Sequence, residues 1–136
     1  MITLDTSGLY ALVNRADPGH QQAKDLVLGD PGPYLLPAAA MGELAYLIES
    51  RLGASVMDGV VSDLQSGGLT IDCGDTDLAR IRELTSRYAD LELGFVDAAV
   101  IACAERNGGA VLTFDQRDFS VVAGEGTIAP VPGLSA

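Results

Sequence analysis

The sequence is poor in aromatic side chains and in cysteine, and both shortages narrow the class of protein. Among its 136 residues there is no tryptophan, and aromatic residues make up only 5%. Alanine, valine, leucine and isoleucine supply the apolar mass, which suits helices packed on a buried sheet. The two cysteines, Cys73 and Cys103, have no CxxC motif and no histidine nearby. A disulfide framework or a zinc site is therefore not indicated, and we expect both cysteines to be reduced core residues.

Basic side chains are also scarce. Eight lysines and arginines stand against 19 acidic residues, which gives a formal net charge of −11. Arg80, Arg82 and Arg87 are the nearest approach to a basic cluster. Because phosphate contacts dominate nucleic-acid affinity, this balance argues against tight non-specific RNA binding. It favours a basic protein partner or phosphate contacts mediated by a metal, and it does not exclude a nuclease.

Several targeting and catalytic signatures are missing from the sequence. No apolar run approaches the roughly 18 residues of a transmembrane helix, and no export signal is visible, so we expect a cytoplasmic protein. The single histidine, His20, lies in a polar segment and is interpreted as a surface residue. A Ser-His-Asp hydrolase therefore has no support. Neither GxGxxG nor GxxxxGK(S/T) occurs, so a nucleotide-binding phosphate loop is not predicted.

Hydrophobic periodicity predicts strands that alternate with helices. Short apolar runs predict five strands, the last of them at an edge, at 2–5, 34–36, 69–73, 111–114 and 127–131. Spacing of three and four residues predicts a helix capped by Thr6 or Ser7, and a later one capped by Asp75 or Thr76 that extends to Tyr88. Further helices are predicted at 20–28, 37–53, 54–66 and 94–107. We expect one α/β domain over residues 1–136, with a parallel sheet between helices.

Acidic residues lie where such strand-to-helix units would bring them to one edge of the sheet. They follow strands or begin helices, at Asp5, Glu43, Asp97, Asp115 and Asp118. Carboxylates gathered in one cleft repel one another, so they need either protons or cations. Hard divalent cations with oxygen ligands are the usual solution and suit phosphate chemistry. The pattern favours a metal-dependent enzyme that acts on phosphodiesters.

Each acidic residue also has an ordinary structural explanation. An Asp at a strand–helix junction often only caps the helix, although Thr6 or Ser7 could cap here and leave Asp5 free. A Glu such as Glu43 in the first turns of a helix is favoured by the helix dipole and is usually solvated. Asp97 is harder to explain in this way, because the other seven residues of the segment 95–102 are apolar and a buried charge needs a partner.

The same choice applies to Asp115 and Asp118, because Asp is a common turn residue. Asp115 directly follows the predicted fourth strand and is the preferred site residue of the two. Thr113, two residues before it, could hydrogen-bond a ligand or a bound water.

Three long segments carry a family resemblance. They are "LDTSGLYAL", "GELAYLIESRLG" and "GFVDAAVIACAERNGGAVLTFDQRDF", in that order. Together they resemble the PIN-domain family, and more narrowly its VapC-type toxins of toxin–antitoxin pairs. The resemblance implies a three-layer α/β/α fold and an endoribonuclease that depends on Mg²⁺ or Mn²⁺. It also implies a homodimer that is inhibited by a cognate antitoxin, and an acidic toxin would suit a partner that inserts basic side chains.

The resemblance also implies roles for individual residues. Asp5 and Asp97 would be the principal metal ligands, and Glu43 and Asp115 would complete an acidic quartet. Thr6, Ser7 and Thr113 would support the quartet. Asp118 could share the role of Asp115 or take its place. Our mechanistic hypothesis is that Asp5, Asp97 and Asp115 hold the metal while Glu43 positions or deprotonates the attacking water.

Two rival functions remain at this point. A phosphatase with Asp5 as nucleophile would normally want a second Asp two residues later and a downstream Lys. Ser7 stands at the first of these positions, and Lys24 is the only lysine. A PIN-like domain without catalytic activity, which works only as a binding module, is the other rival.

Overall fold

The computed structural model describes residues 1–133, in which five strands form one sheet. The strands are β1 (Ile2–Leu4), β2 (Tyr34–Pro37), β3 (Thr70–Asp72), β4 (Ala110–Leu112) and β5 (Ala129–Val131). They lie in the order β3-β2-β1-β4-β5, and every neighbouring pair is parallel. The chain first builds from β1 toward β3 and then returns to add β4 and β5 on the other side of β1. In open parallel sheets, ligands bind beyond the carboxyl ends of the strands at such a reversal.

Seven α-helices in residues 1–133 connect these strands. They are α1 (Thr6–Val13), α2 (His20–Leu28), α3 (Met41–Arg51), α4 (Ala54–Ser66), α5 (Leu78–Arg87), α6 (Phe95–Arg106) and α7 (Gln116–Ala123). One hydrophobic cluster contains residues of α1 to α4, and a second contains residues of α5 to α7. The sheet therefore separates two helical layers, as predicted. None of the helices in this part of the chain is long and apolar enough to cross a membrane.

The central strands are buried on both faces. In β4, Val111 packs in the cluster of α5 to α7, while Leu112 packs in the cluster of α1 to α4. Both side chains are fully buried, and each contributes roughly 1.5 to 3 kcal/mol by leaving water. Successive strand residues point to opposite faces, so a strand with helices on both sides has no polar face. This explains why the strands appear in the sequence as short continuous apolar runs.

Close contact between α1 and β4 depends on Gly8. A Cβ atom at this position would lie 2.1 Å from the carbonyl oxygen of Leu112, which is far inside the contact distance. The missing side chain lets the first turn of α1 lie directly against the end of β4. As a result, the segments that follow β1 and β4 are neighbours in space, and Asp5 comes close to Thr113.

Most predicted elements are confirmed, with particular exceptions. The bounds of α2 and α4 agree with the prediction, and β5 lies at an edge of the sheet. The predicted helix at 37–53 divides into a 3-10 turn at Ala38–Ala40 and then α3. Helix α7 was not predicted, because its start, Asp115 to Asp118, has the composition of a turn. Burial of Phe119 and Val122, three residues apart, is the amphipathic signal that could have identified it.

Predicted helix caps and isolated residues also need correction. Asp5, and not Thr6 or Ser7, is the N-cap of α1, and Asp77 precedes α5 without a side-chain cap. Asp5 caps the helix because its carboxylate accepts a hydrogen bond from the N–H of Gly8 at 2.7 Å.

Cys73 differs from the prediction in its burial. Both cysteines are free, as expected, but only Cys103 is buried, whereas Cys73 is exposed just after β3. His20 is partly buried, and its Nδ1 atom lies 2.8 Å from the carbonyl oxygen of Ala11 and hydrogen-bonds to it.

Candidate active site

A cleft of about 280 Å³ opens at the carboxyl ends of β1 and β4, where the strand order reverses. Three helices and two strand ends form its walls: Thr6, Ser7 and Tyr10 from α1, Glu43, Leu47 and Arg51 from α3, Val96, Asp97 and Val100 from α6, and Asp5 and Asp115 after the strands. All four carboxylates of the predicted quartet therefore line one cleft. Asp118 and Thr113 are not part of the cleft wall.

Helix periodicity brings the α3 residues to this cleft. Glu43, Leu47 and Arg51 are spaced by four residues, so they form one stripe along the helix. Glu43 lies in the first turn, where the helix dipole favours a carboxylate, and it is exposed toward the solvent. The stripe therefore has an acidic end at the first turn of the helix and a basic end at the last turn.

Asp5 is the most rigidly held carboxylate of the site. Only 5% of its surface is exposed. Its Oδ1 atom accepts hydrogen bonds from Gly8 N at 2.7 Å and from Ser7 Oγ at 2.8 Å, and its Oδ2 atom accepts one from Thr113 Oγ1 at 2.5 Å. Burial raises the pKa of Asp5 above its usual range, although these three hydrogen bonds oppose the shift. A carboxylate has about four lone-pair sites, so one site on Oδ2 remains for a ligand.

Two hydroxyl groups join the ends of β1 and β4. Ser7 Oγ accepts a hydrogen bond from Phe114 N at 2.9 Å, and Thr113 Oγ1 accepts one from Asp115 N at 3.0 Å. Thr113 is fully buried. Its hydroxyl holds the Asp5 carboxylate and the backbone of Asp115 in fixed positions.

Asp97 carries the strongest electrostatic perturbation of the site. It lies half-buried in the first turn of α6. Burial, and then the negative charges of Asp115, Asp5, Asp118 and Glu43, raise its pKa to about 6. Within the described residues, no lysine or arginine forms an ion pair with this carboxylate. A cluster of this kind attracts a cation.

The two candidates for the fourth acidic position differ in their placement. Asp115 precedes α7, lines the cleft and makes no side-chain hydrogen bond that caps this helix. Partial burial and the negative charge of Asp118 raise its pKa, while Arg117 opposes the shift. Asp118 lies in the first turn of α7 and is not part of the cleft wall. The geometry therefore favours Asp115 at the cleft, with Asp118 acting on it through charge.

The chemistry of the cleft fits a hard divalent cation. Within residues 1–133, no group of three or more histidine, cysteine, aspartate or glutamate side chains is already arranged as a metal-ligand set. The donors are nevertheless all oxygens, which Mg²⁺ and Mn²⁺ prefer. The hydroxyl oxygen of Thr6, also in the cleft wall, is buried without a hydrogen-bond partner. Metal-binding carboxylates are themselves usually hydrogen-bonded, as Asp5 is here.

Comparisons with known proteins agree with this geometry. The PIN-domain family model matches residues 2–125. The chain belongs to the PIN-domain family. Ribonuclease VapC26 of Mycobacterium tuberculosis is 27% identical over 133 residues, which cover 95% of this chain and 98% of that protein. The crystal structure of VapC20 of M. tuberculosis, a toxin that cleaves the sarcin-ricin loop, is similar with a TM-score of 0.77 and 26% identity. The match covers 89% of this chain and 95% of that one. The resemblance seen in the sequence is confirmed.

Some cleft residues of this PIN domain were not foreseen. Tyr10 and Arg51 also line the cleft, and the guanidinium of Arg51 is 5.8 Å from the centre of the Tyr10 ring. The signal for Arg51 was its spacing of eight residues from Glu43, which places both on the same face of a helix. The signal for Tyr10 was its spacing of four residues from Thr6. Neither spacing reveals that the two helices meet at this point.

Proposed function

We propose that this PIN domain, extending over residues 1–136, is a metal-dependent endoribonuclease and the toxin of a toxin–antitoxin pair. The observation that carries the proposal is the convergence of Asp5, Glu43, Asp97 and Asp115 on one cleft at the reversal of the strand order. Two similar proteins, one named a ribonuclease and the other described as an RNA-cleaving toxin, support it.

Roles can be proposed for each carboxylate. Asp5, Asp97 and Asp115 would hold Mg²⁺ or Mn²⁺. When bound, this cation would supply positive charge to the phosphate oxygens and acidify a water molecule. Glu43, exposed at the cleft wall, positions or deprotonates the attacking water. Ser7 and Thr113 orient Asp5 through the hydrogen bonds described above, and Thr6 also lines the cleft and has a buried hydroxyl oxygen without a partner among the described residues.

The acidity of the chain is consistent with a basic protein partner. Four carboxylates in one cleft present up to four negative charges, which arginine or lysine side chains of an antitoxin would neutralise when no RNA is bound. We propose that such an antitoxin inhibits the enzyme by covering the cleft, and that the toxin itself is a homodimer. Size-exclusion chromatography with light scattering tests the dimer, and co-expression with the neighbouring reading frame tests the antitoxin.

The nuclease proposal is tested by cleavage of total bacterial RNA. The purified chain is incubated with Mg²⁺, with Mn²⁺ or with EDTA, and the products are mapped by sequencing their ends. Because VapC20 is described as cleaving the sarcin-ricin loop, an RNA oligonucleotide of that loop provides a defined second substrate. Discrete products that require the metal are expected.

Two variants make the experiment specific to the site. Asp97→Asn removes one carboxylate without touching a hydrogen bond that holds the fold, and it should abolish cleavage. Asp58→Asn is the matched control, because Asp58 is exposed on α4 outside the cleft. Cleavage that persists in Asp97→Asn would refute the site. A folded wild-type chain that binds no metal and cuts no RNA would instead indicate a binding module.

A further inference from the structure

The cleft wall contains a single basic side chain among the described residues, Arg51 in the last turn of α3. Its guanidinium lies over the ring of Tyr10, at 5.8 Å from the ring centre. This cation–π contact joins α3 to α1 at the cleft wall. We call these two side chains the Tyr10–Arg51 arm.

Arg51 differs from the arginines that hold the fold together. Arg80 pairs with glutamates of α5 and α6 and with Glu125, and Arg106 pairs with Asp72 and Asp77. Within residues 1–133, Arg51 forms no ion pair with any carboxylate, although four carboxylates line the same cleft. Its charge is therefore exposed and available to a ligand.

Arg51 is separated from Glu43 by about two turns of α3. Arg51 follows Glu43 by eight residues on the same face, which corresponds to roughly 12 Å along the helix axis. An arginine placed to stabilise charge on the cleaved phosphate would have to lie closer to the carboxylates. Because Arg51 pairs with no carboxylate of the described residues, its guanidinium can contact a part of the substrate beyond the cleaved bond.

We propose that the Tyr10–Arg51 arm binds a backbone phosphate of the RNA that flanks the cleaved bond. The planar guanidinium matches phosphate oxygens in two-pronged geometry, and the contact with the Tyr10 ring restricts its motion before RNA binds. The acidic end of the cleft repels RNA until a cation is bound, whereas the arm attracts it. The two ends together align the strand along the cleft. This inference rests on the proposed endoribonuclease function.

The number of phosphate contacts can be measured directly from the dependence of binding on salt. For single strands, the logarithm of the binding constant falls with the logarithm of salt concentration by about 0.7 per neutralised phosphate. The probe is a short fluorescein-labelled single-stranded RNA of mixed sequence, measured by anisotropy with Mg²⁺ present. The full chain carries Asp97→Asn in every sample, so that the RNA is bound without being cut.

Arg51→Gln should reduce the salt slope by about 0.7 and weaken binding at low salt by about tenfold. Arg82→Gln is the matched control, because Arg82 is exposed on α5 and lies outside the cleft. Arg51→Lys keeps the charge and should retain the slope while losing part of the affinity. Tyr10→Leu removes the aromatic ring that contacts Arg51 and should weaken RNA binding. Tyr10→Phe keeps an aromatic ring and should retain the wild-type affinity.

The same variants in the otherwise wild-type chain provide the kinetic readout. With total RNA, Arg51→Gln should lower the cleavage rate at limiting RNA by about tenfold and preserve the rate at saturating RNA. A salt slope for Arg51→Gln equal to that of Arg82→Gln would overturn the proposal, as would a change in thermal stability alone. If the wild-type chain neither binds nor cleaves RNA, the proposed function fails together with the arm. Cleavage with an unchanged slope refutes only the arm.

Discussion

Asp97→Asn should make the metal-free protein more stable at neutral pH, even though it removes a residue of the proposed active site. In the folded chain, burial and four neighbouring carboxylates raise the pKa of Asp97 from 3.8 to about 6. A raised carboxyl pKa means that folding favours the protonated form, so ionisation at pH 7 opposes folding. Asparagine has nearly the same shape and no charge, and it relieves this repulsion.

The size of the effect follows from the pKa shift. Each pKa unit corresponds to about 1.4 kcal/mol, so the shift corresponds to about 3 kcal/mol when screening is ignored. Because Asp97 is only half-buried, solvent and salt screen the repulsion, and about 1 to 1.5 kcal/mol is expected. For a chain of this length, this gain raises the melting temperature by about 5 °C.

The pH dependence has a definite sign. Between pH 3.8 and about 6, the folded state binds more protons at Asp97 than the unfolded state does, so wild-type stability falls as the pH rises through this window. The advantage of Asp97→Asn should be complete above pH 6, shrink as the pH falls, and disappear below pH 4. Added Mg²⁺ should stabilise the wild-type chain more than Asp97→Asn, because the variant lacks one of the proposed ligands and ligand binding favours the folded state that binds it.

The assay is urea denaturation in EDTA at pH 7 and at pH 4, followed by circular dichroism. The exposed Asp58→Asn serves as the control and should change the free energy of unfolding by less than about 0.5 kcal/mol. If Asp97→Asn is no more stable than the wild type at pH 7, the carboxylates do not repel one another as the cleft geometry implies. A gain of equal size at both pH values would also refute the reasoning, since it would not come from ionisation.

Three further predictions concern the residues that build the site. Gly8→Ala should lower the free energy of unfolding by about 1 to 3 kcal/mol, because its Cβ atom collides with the end of β4. Gly42→Ala, whose Cβ atom meets nothing within 4 Å, should raise the free energy of unfolding by about 0.5 to 1 kcal/mol. Urea denaturation of both variants measures these changes. Thr113→Val should reduce the rate of RNA cleavage by about tenfold to a hundredfold by releasing Asp5, whereas Thr113→Ser should preserve the wild-type rate. Equal cleavage rates for Thr113→Val and the wild type would contradict a positioning role. Arg106→Gln should lower the free energy of unfolding by about 1 to 2 kcal/mol at pH 7, because it breaks the ion pairs of Arg106 with Asp72 and Asp77. Thermal unfolding measures this change.

The sequence predicts the layered fold well because the information is local. Apolar runs and helical spacing depend only on neighbouring residues, and they identify the parallel sheet and six of the helices. Strand ends were placed too far out, as at β3 and β4, because the last residues of a strand are decided by the partner strand. Helix α7 was missed because Gln116, Arg117 and Asp118 are typical of a turn, and only its packing on the sheet stabilises the helix.

The candidate site was predictable only in part. Charged residues in apolar surroundings, such as Asp97, are visible in the sequence, and the acidic quartet was named from them and from the family resemblance. The sequence left the cap of α1 open between Asp5 and Thr6 or Ser7, because choosing among three adjacent capping residues requires the backbone geometry. Tyr10 and Arg51 are far apart in the chain, so their contact depends on how α1 packs against α3, which local patterns do not encode.

The hydrogen bonds of Asp5 also have a consequence for how such a protein can lose its activity during evolution. Asp5 begins α1 and fastens it to the end of β4, so a substitution there damages the fold and the chemistry together. Asp97 and Asp115 carry no such structural duty, and their loss relieves repulsion. A descendant that drifts into a purely protein-binding role is therefore expected to retain the aspartate at position 5 long after the other carboxylates have been replaced.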